Sequence, residues 1–362
     1  MRYIDRVEIV AEAGVNHNGS LELALRLVDA AAEAGADAVK FQTFKAVHVA
    51  SRFAEKAAYQ AITTSAAESQ LEMIRSLELG EGDHDVLIAR AGERNIRFLS
   101  TPFDLPSLDL LVDRFRLPTI KIPSGEITNT PFLLACARKH PRIILSTGMS
   151  TLGEIEAALA VLAFGYVAGA DQPVSDAAFT AAYASAGGQQ ALRENVTLLH
   201  CTSEYPAPPE TVNLRAMDTL RNAFDLPVGF SDHTSGINVA VAAVSRGACL
   251  IEKHFTLDRG MAGPDHAASL NPNELIAMVH AIREVETSLG DGIKRPADVE
   301  LKNLLVVRRS LVAAQGIRRG EIFAADNITA KRPGGGLSPS LYWSMLGRTA
   351  QRDYQPDDPI EA

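Results

Sequence analysis

Two short apolar runs each close on a histidine: Val228-Gly229-Phe230-Ser231-Asp232-His233 and Leu250-Ile251-Glu252-Lys253-His254-Phe255. A neutral imidazole holds a transition metal without losing a proton, so a pair of strand-end histidines is a candidate metal site. Other strand-like runs also end in residues that an apolar core rejects. These are Glu12, Lys40 with Gln42, Thr101, Lys121 with Ser124 and Glu126, Ser146, and His200-Cys201 followed by Ser203 and Tyr205. A lysine in such a strand is costly unless a charge meets it. Lys40 and Lys121, beside serine and threonine hydroxyls, therefore point to a phosphate or carboxylate site, the alternative being structural ion pairs with nearby glutamates. The carboxylates Glu12, Glu126, Glu252 and Asp265 are of the kind that orients hydroxyls, holds a metal, moves protons or balances a buried cation. His17 reads as a stabiliser of its own Asn-His-Asn-Gly turn; His48, His84, His140 and His280 as surface residues; His200 and Cys201 as packing residues.

The spacing of apolar runs predicts strands at 7–13, 38–43, 96–101, 119–124, 142–147, 196–202, 228–233 and 250–255, with amphipathic helices between them. Near-continuous apolar strands are those covered on both faces, as in a parallel sheet. Ser20 is placed to cap the first helix. Eight strands alternating with helices over residues 1–292 fit an α/β fold of the (β/α)₈ TIM-barrel type. The rival is an open doubly wound sheet, but no Gly-x-Gly-x-x-Gly follows the first strand. The stretch from Ala163 to Leu192, rich in Ala, Gly, Ser and Asp, reads as a surface insertion with room for a short helix, at the N-terminal rim and away from the chemistry. A charged linker, 293–305, leads to a small, mostly-β module over 306–362, in which 309–314 and 328–333 are extended.

Composition narrows the class. The hydrophobic fraction of 46% and charged fraction of 22% are those of a globular protein, and no apolar run reaches the roughly 20 residues of a membrane helix. The net charge of -9 argues against nucleic acid and anionic membranes as partners, while leaving room for an anion held by a local cluster of cations. Three scattered cysteines, Cys136, Cys201 and Cys249, suit buried free thiols in a reducing compartment. The expectation is a cytoplasmic enzyme.

In order along the chain, Ala11–Ser20, Lys40-Phe41-Gln42-Thr43, Lys121–Glu126, Ser231-Asp232-His233-Thr234, Glu252–Thr256, Gly263-Pro264-Asp265-His266 and Lys331-Arg332-Pro333 resemble the bacterial sialic acid synthases. The likeness extends to the C-terminal module, which is similar to type III antifreeze protein (a SAF domain). It implies condensation of phosphoenolpyruvate with an open-chain acetamido sugar to a nine-carbon α-keto acid and phosphate. N-acetylmannosamine, giving N-acetylneuraminate, is the first expectation. The alternatives are 2,4-diacetamido-2,4,6-trideoxymannose, giving N,N'-diacetyllegionaminate, and, more remotely, a non-catalytic sugar- or anion-binding protein. An erythrose-phosphate condensing enzyme shares the barrel but not the C-terminal module.

The resemblance also implies a divalent metal, Mn²⁺ with Mg²⁺ or Co²⁺ as alternatives, held by His233 and His254, with any third protein ligand left open. By the same likeness Glu12 handles the attacking water, and Lys40, Thr101, Lys121, Ser124, Ser146 and Ser203 clamp phosphoenolpyruvate. Gln42, Glu126, Tyr205 and Asp265 would read the sugar. Arg332 would reach the barrel of a second chain in a domain-swapped homodimer. Some relatives have Asn in place of Ser203, which makes that contact the weakest of the set.

Overall fold

The computed structural model describes residues 6–57, 60, 64, 68–169 and 171–361. The chain divides into two compact units at Asp291/Gly292. In the first, eight parallel strands alternate with helices: β1 (Glu8–Gly14), β2 (Ala38–Thr43), β3 (Arg97–Pro102), β4 (Thr119–Ile122), β5 (Arg142–Ser146), β6 (Val196–Cys201), β7 (Val228–Asp232) and β8 (Leu250–His254). They hydrogen-bond in the order β3-β2-β1-β8-β7-β6-β5-β4, and β3 and β4 lie side by side at the seam of the barrel. Strand positions read from the apolar runs agree within about two residues, because strands buried on both faces announce themselves as uninterrupted apolar runs.

Side chains alternate across each strand, and this parity sorts the wall. The outward set, including Ile9, Ala11, Val39, Phe41, Ile120, Ile143, Leu198, Phe230 and Ile251, packs under the helices in one core. The inward set begins with an apolar plug: Val10, Ala38, Leu99, Ile144, Leu199 and Leu250. Two residues further along each of those strands come Glu12, Lys40, Thr101, Ser146, Cys201 and Glu252. A first layer of chemical side chains thus stands one pleat above the plug. On β7 the plug position is Gly229, where a Cβ would lie 2.5 Å from the Leu250 carbonyl oxygen and 2.7 Å from Leu199, so only glycine fits.

The first helix, Leu21–Glu33, is capped as its sequence suggests: the Ser20 hydroxyl accepts from the Leu23 amide at 3.3 Å. The stretch read as a surface insertion with room for one short helix is more helical than that. Helix Leu152–Val167 runs well into it, and Asp176–Ala184 and Ala186–Asn195 follow, capped by Ser175 and Ser185. Phe164, Ala182 and Leu192 are buried there, so these helices pack on the barrel. Alanine favours helix while serine caps it, and a composition of both hid the periodicity. The last of these helices delivers the chain to the start of β6, the rim opposite the strand C-termini.

His84 also departs from its surface reading. It is fully buried on the inner face of helix Glu81–Glu93, in line with Leu87 and Ala91. Its Nε2 lies 2.8 Å from the Thr43 hydroxyl, itself 2.6 Å from that of Ser100, and Nδ1 lies 2.8 Å from the Gly80 carbonyl. The spacing 84, 87, 91 is the signal that marks it as inward. His48, His140 and His280 are exposed. The three cysteines are free, Cys136 and Cys201 buried and Cys249 half-buried.

In the second unit, β9 (Ser310–Ala313) and β10 (Ile328–Lys331) pair antiparallel with Leu311 opposite Ala330. Their core is Leu311, Ala313, Ile317, Phe323, Ile328, Met345, Ala350, Tyr354 and Ile360. The charged stretch before them holds a helix, Asp298–Val307, whose Glu300 accepts from the Ala297 amide at 2.8 Å. Among the described residues no helix is long and apolar enough to cross a membrane.

Because the plug supports the polar layer, Leu199→Ala should cost about 2–5 kcal/mol of stability through the cavity it leaves. A denaturant midpoint unchanged from wild type would show that the plug is not under load.

Candidate active site

The C-terminal ends of the strands open into one cavity lined by Glu12, Lys40, Gln42, Thr101, Lys121, Ser124, Ser146, Cys201, Ser203, Tyr205, His233, Glu252, His254 and Asp265, among others. Register explains part of this assembly. Glu12 on β1 lies opposite Lys40 on β2 and opposite His254 on β8, and Ser231 on β7 lies opposite Glu252 on β8.

At its base sit two lysines and two carboxylates. Lys40 Nζ is 2.7 Å from Glu12 Oε2 and 3.5 Å from Glu252 Oε2; Lys121 Nζ is 3.3 Å from Glu252 Oε1. Lys40 also donates to the Thr101 hydroxyl at 3.0 Å, and Ser231 donates to Glu252 at 2.9 Å. Burial would raise the Glu252 carboxyl, but Lys121 and Lys40 outweigh it and hold Glu252 well below the usual carboxylate range. For Glu12, burial and the charge of Glu252 outweigh Lys40 and the weaker pull of Lys121 and push it up to about 7. Burial works against the charged form of Lys40, yet Glu12 and Glu252 overcome it and raise its pKa. Of the two carboxylates, Glu12 is the one that takes a proton near neutrality.

A second group is made of hydroxyls. The Ser146 hydroxyl is buried without a hydrogen-bond partner. Ser124 accepts from the Gly148 amide at 3.0 Å and lies 3.3 Å from Cys201 Sγ. A Cβ on Gly148 would come within 2.4 Å of Ser203 Oγ and 2.9 Å of Ser124 Oγ, so glycine alone lets this backbone approach the hydroxyls. With the two ammonium groups, these amides and hydroxyls form a surface suited to phosphate or carboxylate oxygens.

The histidines stand at the ends of β7 and β8. The His233 and His254 ring centroids are 5.6 Å apart, and Tyr205 lies 4.2 Å from the first and edge-on to the second at 5.5 Å. Burial lowers His233 to about 4 and His254 well below the ordinary histidine value, the latter helped by His233 and Lys40, so both are neutral at physiological pH. His233 Nδ1 donates to the Thr202 carbonyl at 2.6 Å, which turns the lone pair of Nε2 toward Ser231 Oγ at 3.2 Å. His254 Nδ1 is buried with no hydrogen-bond partner and stands 3.8 Å from Asp265 Oδ2. Burial pushes Asp265 up to about 6. Two neutral imidazoles, one oriented by a backbone carbonyl and one with an unmatched buried nitrogen, fit a divalent cation. Among the described residues no group of three His, Cys, Asp or Glu is arranged to hold a metal.

The strand-end residues therefore converge, with two exceptions. Glu126 is outside the cavity lining and its carboxylate accepts from the Asn129 side-chain amide at 2.6 Å, because a short 3₁₀ turn, Ser124–Glu126, follows β4. Arg332 belongs to the second unit, where its Nε donates to the Val307 carbonyl at 2.9 Å. His17 does hold its turn, accepting from the Gly19 amide at 3.0 Å, and His200 reaches the Val212 carbonyl at 2.6 Å. Cys201, read as packing, faces the cavity instead. Strand parity carries the signal for it, since it stands two residues beyond the plug residue Leu199. The same parity puts Glu252 inward, two residues before His254. Gly148 has no comparable signal in the sequence.

The chain matches the NeuB family over residues 27–294 and the SAF domain over residues 308–362. It is 51% identical over 352 residues to the N,N'-diacetyllegionaminic acid synthase of Campylobacter jejuni, covering 97% of this chain and 98% of that one. To the enzyme of the same name from Legionella pneumophila it is 45% identical over 339 residues, covering 94% and 89%. The crystal structure of N-acetylneuraminic acid synthetase from Leptospira borgpetersenii in complex with citrate superimposes with a TM-score of 0.67 at 33% identity, covering 83% of this chain and 90% of that one. The chain belongs to the NeuB family and is a carbon–carbon bond-forming transferase of the nonulosonate synthase class.

Proposed function

We propose that this enzyme condenses phosphoenolpyruvate with 2,4-diacetamido-2,4,6-trideoxymannose to give N,N'-diacetyllegionaminate and phosphate. The observation that carries this reading is the 51% identity, over nearly the full length of both chains, to a protein named for that product. The N-acetylneuraminate product expected first from the sequence is the lesser reading, since its named structural relative stands at 33% identity.

The residues divide the work as follows. Lys40, Lys121, Thr101, Ser124, Ser146 and Ser203 bind the phosphate and carboxylate oxygens, the incoming anion taking over the charge that Glu12 and Glu252 hold in its absence. A divalent cation, Mn²⁺ with Mg²⁺ or Co²⁺ as alternatives, bound by His233 and His254 would polarise the sugar aldehyde. Tyr205, Gln42 and Asp265 position the sugar. The methylene carbon of phosphoenolpyruvate attacks the aldehyde carbon, forming the new C–C bond, and the aldehyde oxygen takes up a proton to become a hydroxyl. Water then adds at the phosphate-bearing carbon, Glu12 accepts its proton, and phosphate departs from that carbon with C–O cleavage, taking the remaining hydroxyl proton and leaving the keto group. Glu126 reads the sugar only if Asn129 releases it. Arg332, reaching the barrel of a second chain in a homodimer, belongs to the same proposal.

Phosphate release from phosphoenolpyruvate and Mn²⁺ with each sugar should favour the diacetamido sugar over N-acetylmannosamine by at least tenfold in kcat/KM, and the opposite preference overturns the reading. His233→Ala and His254→Ala should each abolish turnover and weaken Mn²⁺ binding in titration calorimetry; tight Mn²⁺ binding by both variants removes the pair from the metal site. As a base, Glu12 acts only when ionised. The rate should therefore fall as pH drops through about 7, and Glu12→Gln should lower kcat by roughly 10²–10⁴ and remove that acid limb. An acid limb that persists unchanged in Glu12→Gln assigns it to another group.

A further inference from the structure

The cavity is not polar all round. After their last inward polar residue, β1, β2 and β3 are followed by Val15, Phe44 and Phe103, and the short helix Gln70–Ser76 brings Met73 and Ile74, with Leu77 just beyond it, to the same side. Val15, Phe44 and Leu77 are buried and pack as one cluster with the half-buried Ile74 and Phe103, the Phe44 and Phe103 rings meeting edge to face at 6.1 Å. This wall is separate from the apolar plug, which lies beneath the charged layer.

Neither half of the chemistry explains an apolar wall there. Phosphoenolpyruvate offers a phosphate, a carboxylate and one methylene group, all served by the lysines and hydroxyls. N-acetylmannosamine offers a chain of hydroxyls and a single acetyl methyl. The diacetamido trideoxy sugar differs from it in two places, an acetamido group at C4 and a methyl at C6, and both changes remove a hydroxyl and leave a methyl in its region. We infer that the wall of Phe44, Phe103, Ile74 and Leu77 receives these two methyl groups and so sets the choice of sugar. The inference rests on the proposed function and adds the residues that would enforce it. Such a wall discriminates by leaving a hydroxyl unpaired against carbon and by filling its space with a methyl.

The test uses the full-length protein with Mn²⁺ and three acceptors: the diacetamido sugar, N-acetylmannosamine, and 6-deoxy-N-acetylmannosamine, which reports the C6 methyl alone. Ile74→Thr, at a half-buried position, and Leu77→Gln should each lower the kcat/KM ratio of diacetamido sugar to N-acetylmannosamine by about tenfold or more, the scale for one methyl group in an apolar pocket. Ile74→Val should keep the wild-type ratio, and the 6-deoxy sugar should lie between the other two with wild type. If Leu77→Gln does not fold, Ile74→Thr decides. A ratio that stays within twofold of wild type in Ile74→Thr, with both sugars slowed alike or not at all, overturns the inference while leaving the diacetamido preference intact. A wild-type enzyme that prefers N-acetylmannosamine overturns the underlying functional reading, a different result from the same assay.

Discussion

Four charges buried at the base of the cavity set the terms for the rest of the barrel. Lys40, Lys121, Glu12 and Glu252 are each almost wholly removed from water. Placing ions there costs several kcal/mol apiece, and their mutual attraction compensates only when the geometry is held. Here the holding is done by the strand ladders: β1 places Glu12 beside Lys40, and β8 places Glu252 where both lysines reach it. When Glu12 is ionised, two cations face two anions and the cluster is balanced without substrate. An arriving anion can displace the carboxylates from the lysines without exposing a bare charge to apolar surroundings.

The same burial acts oppositely on the histidines a few ångströms away. Low polarity favours the neutral form, and nearby Lys40 adds to the effect on His254. The two kinds of group therefore separate by the sign of the charge that desolvation removes: Glu12 drifts up toward neutrality, while the imidazoles stay free of protons. Outward-facing residues back this up from behind the wall. Asp232 accepts from the Thr234 amide at 2.8 Å and from Lys253 at 2.9 Å, tying the strand end that carries His233 to the strand that carries His254. Lys253 and Asp232 are buried and lie on the opposite pleat from the cavity, so their charges serve position and not substrate.

Much of this was legible residue by residue. The strands could be read because parallel strands covered on both faces are apolar throughout, and a polar residue near their ends breaks the pattern visibly. The lysine pair, the histidine pair and Glu12 stand out that way, and all five side chains line the cavity. His84 and the extent of the helices within 163–192 were not legible, although their periodicity was present, because alanine and serine blur an apolar stripe and a lone histidine on a polar-looking helix reads as solvated. Glu126 misled for a different reason: a three-residue 3₁₀ turn after β4 removes it from the strand's pleat, so parity no longer predicts its direction.

Sequence alone determined the barrel, the module that follows it, and the kinds of group at each strand end, because side-chain alternation and hydrophobic burial are local rules with a period of two. It also carried the synthase class through the ordered motifs. Tertiary structure decided which of those groups meet: that Glu252 bridges two lysines from separate strands, that Gly148 clears space between Ser124 and Ser203, and that Val15, Phe44, Phe103 and Leu77 share one apolar wall. These are contacts between residues 24 to 212 positions apart. No local pattern encodes such distances; only closing the barrel, which curls eight strand ends around one axis, brings them together.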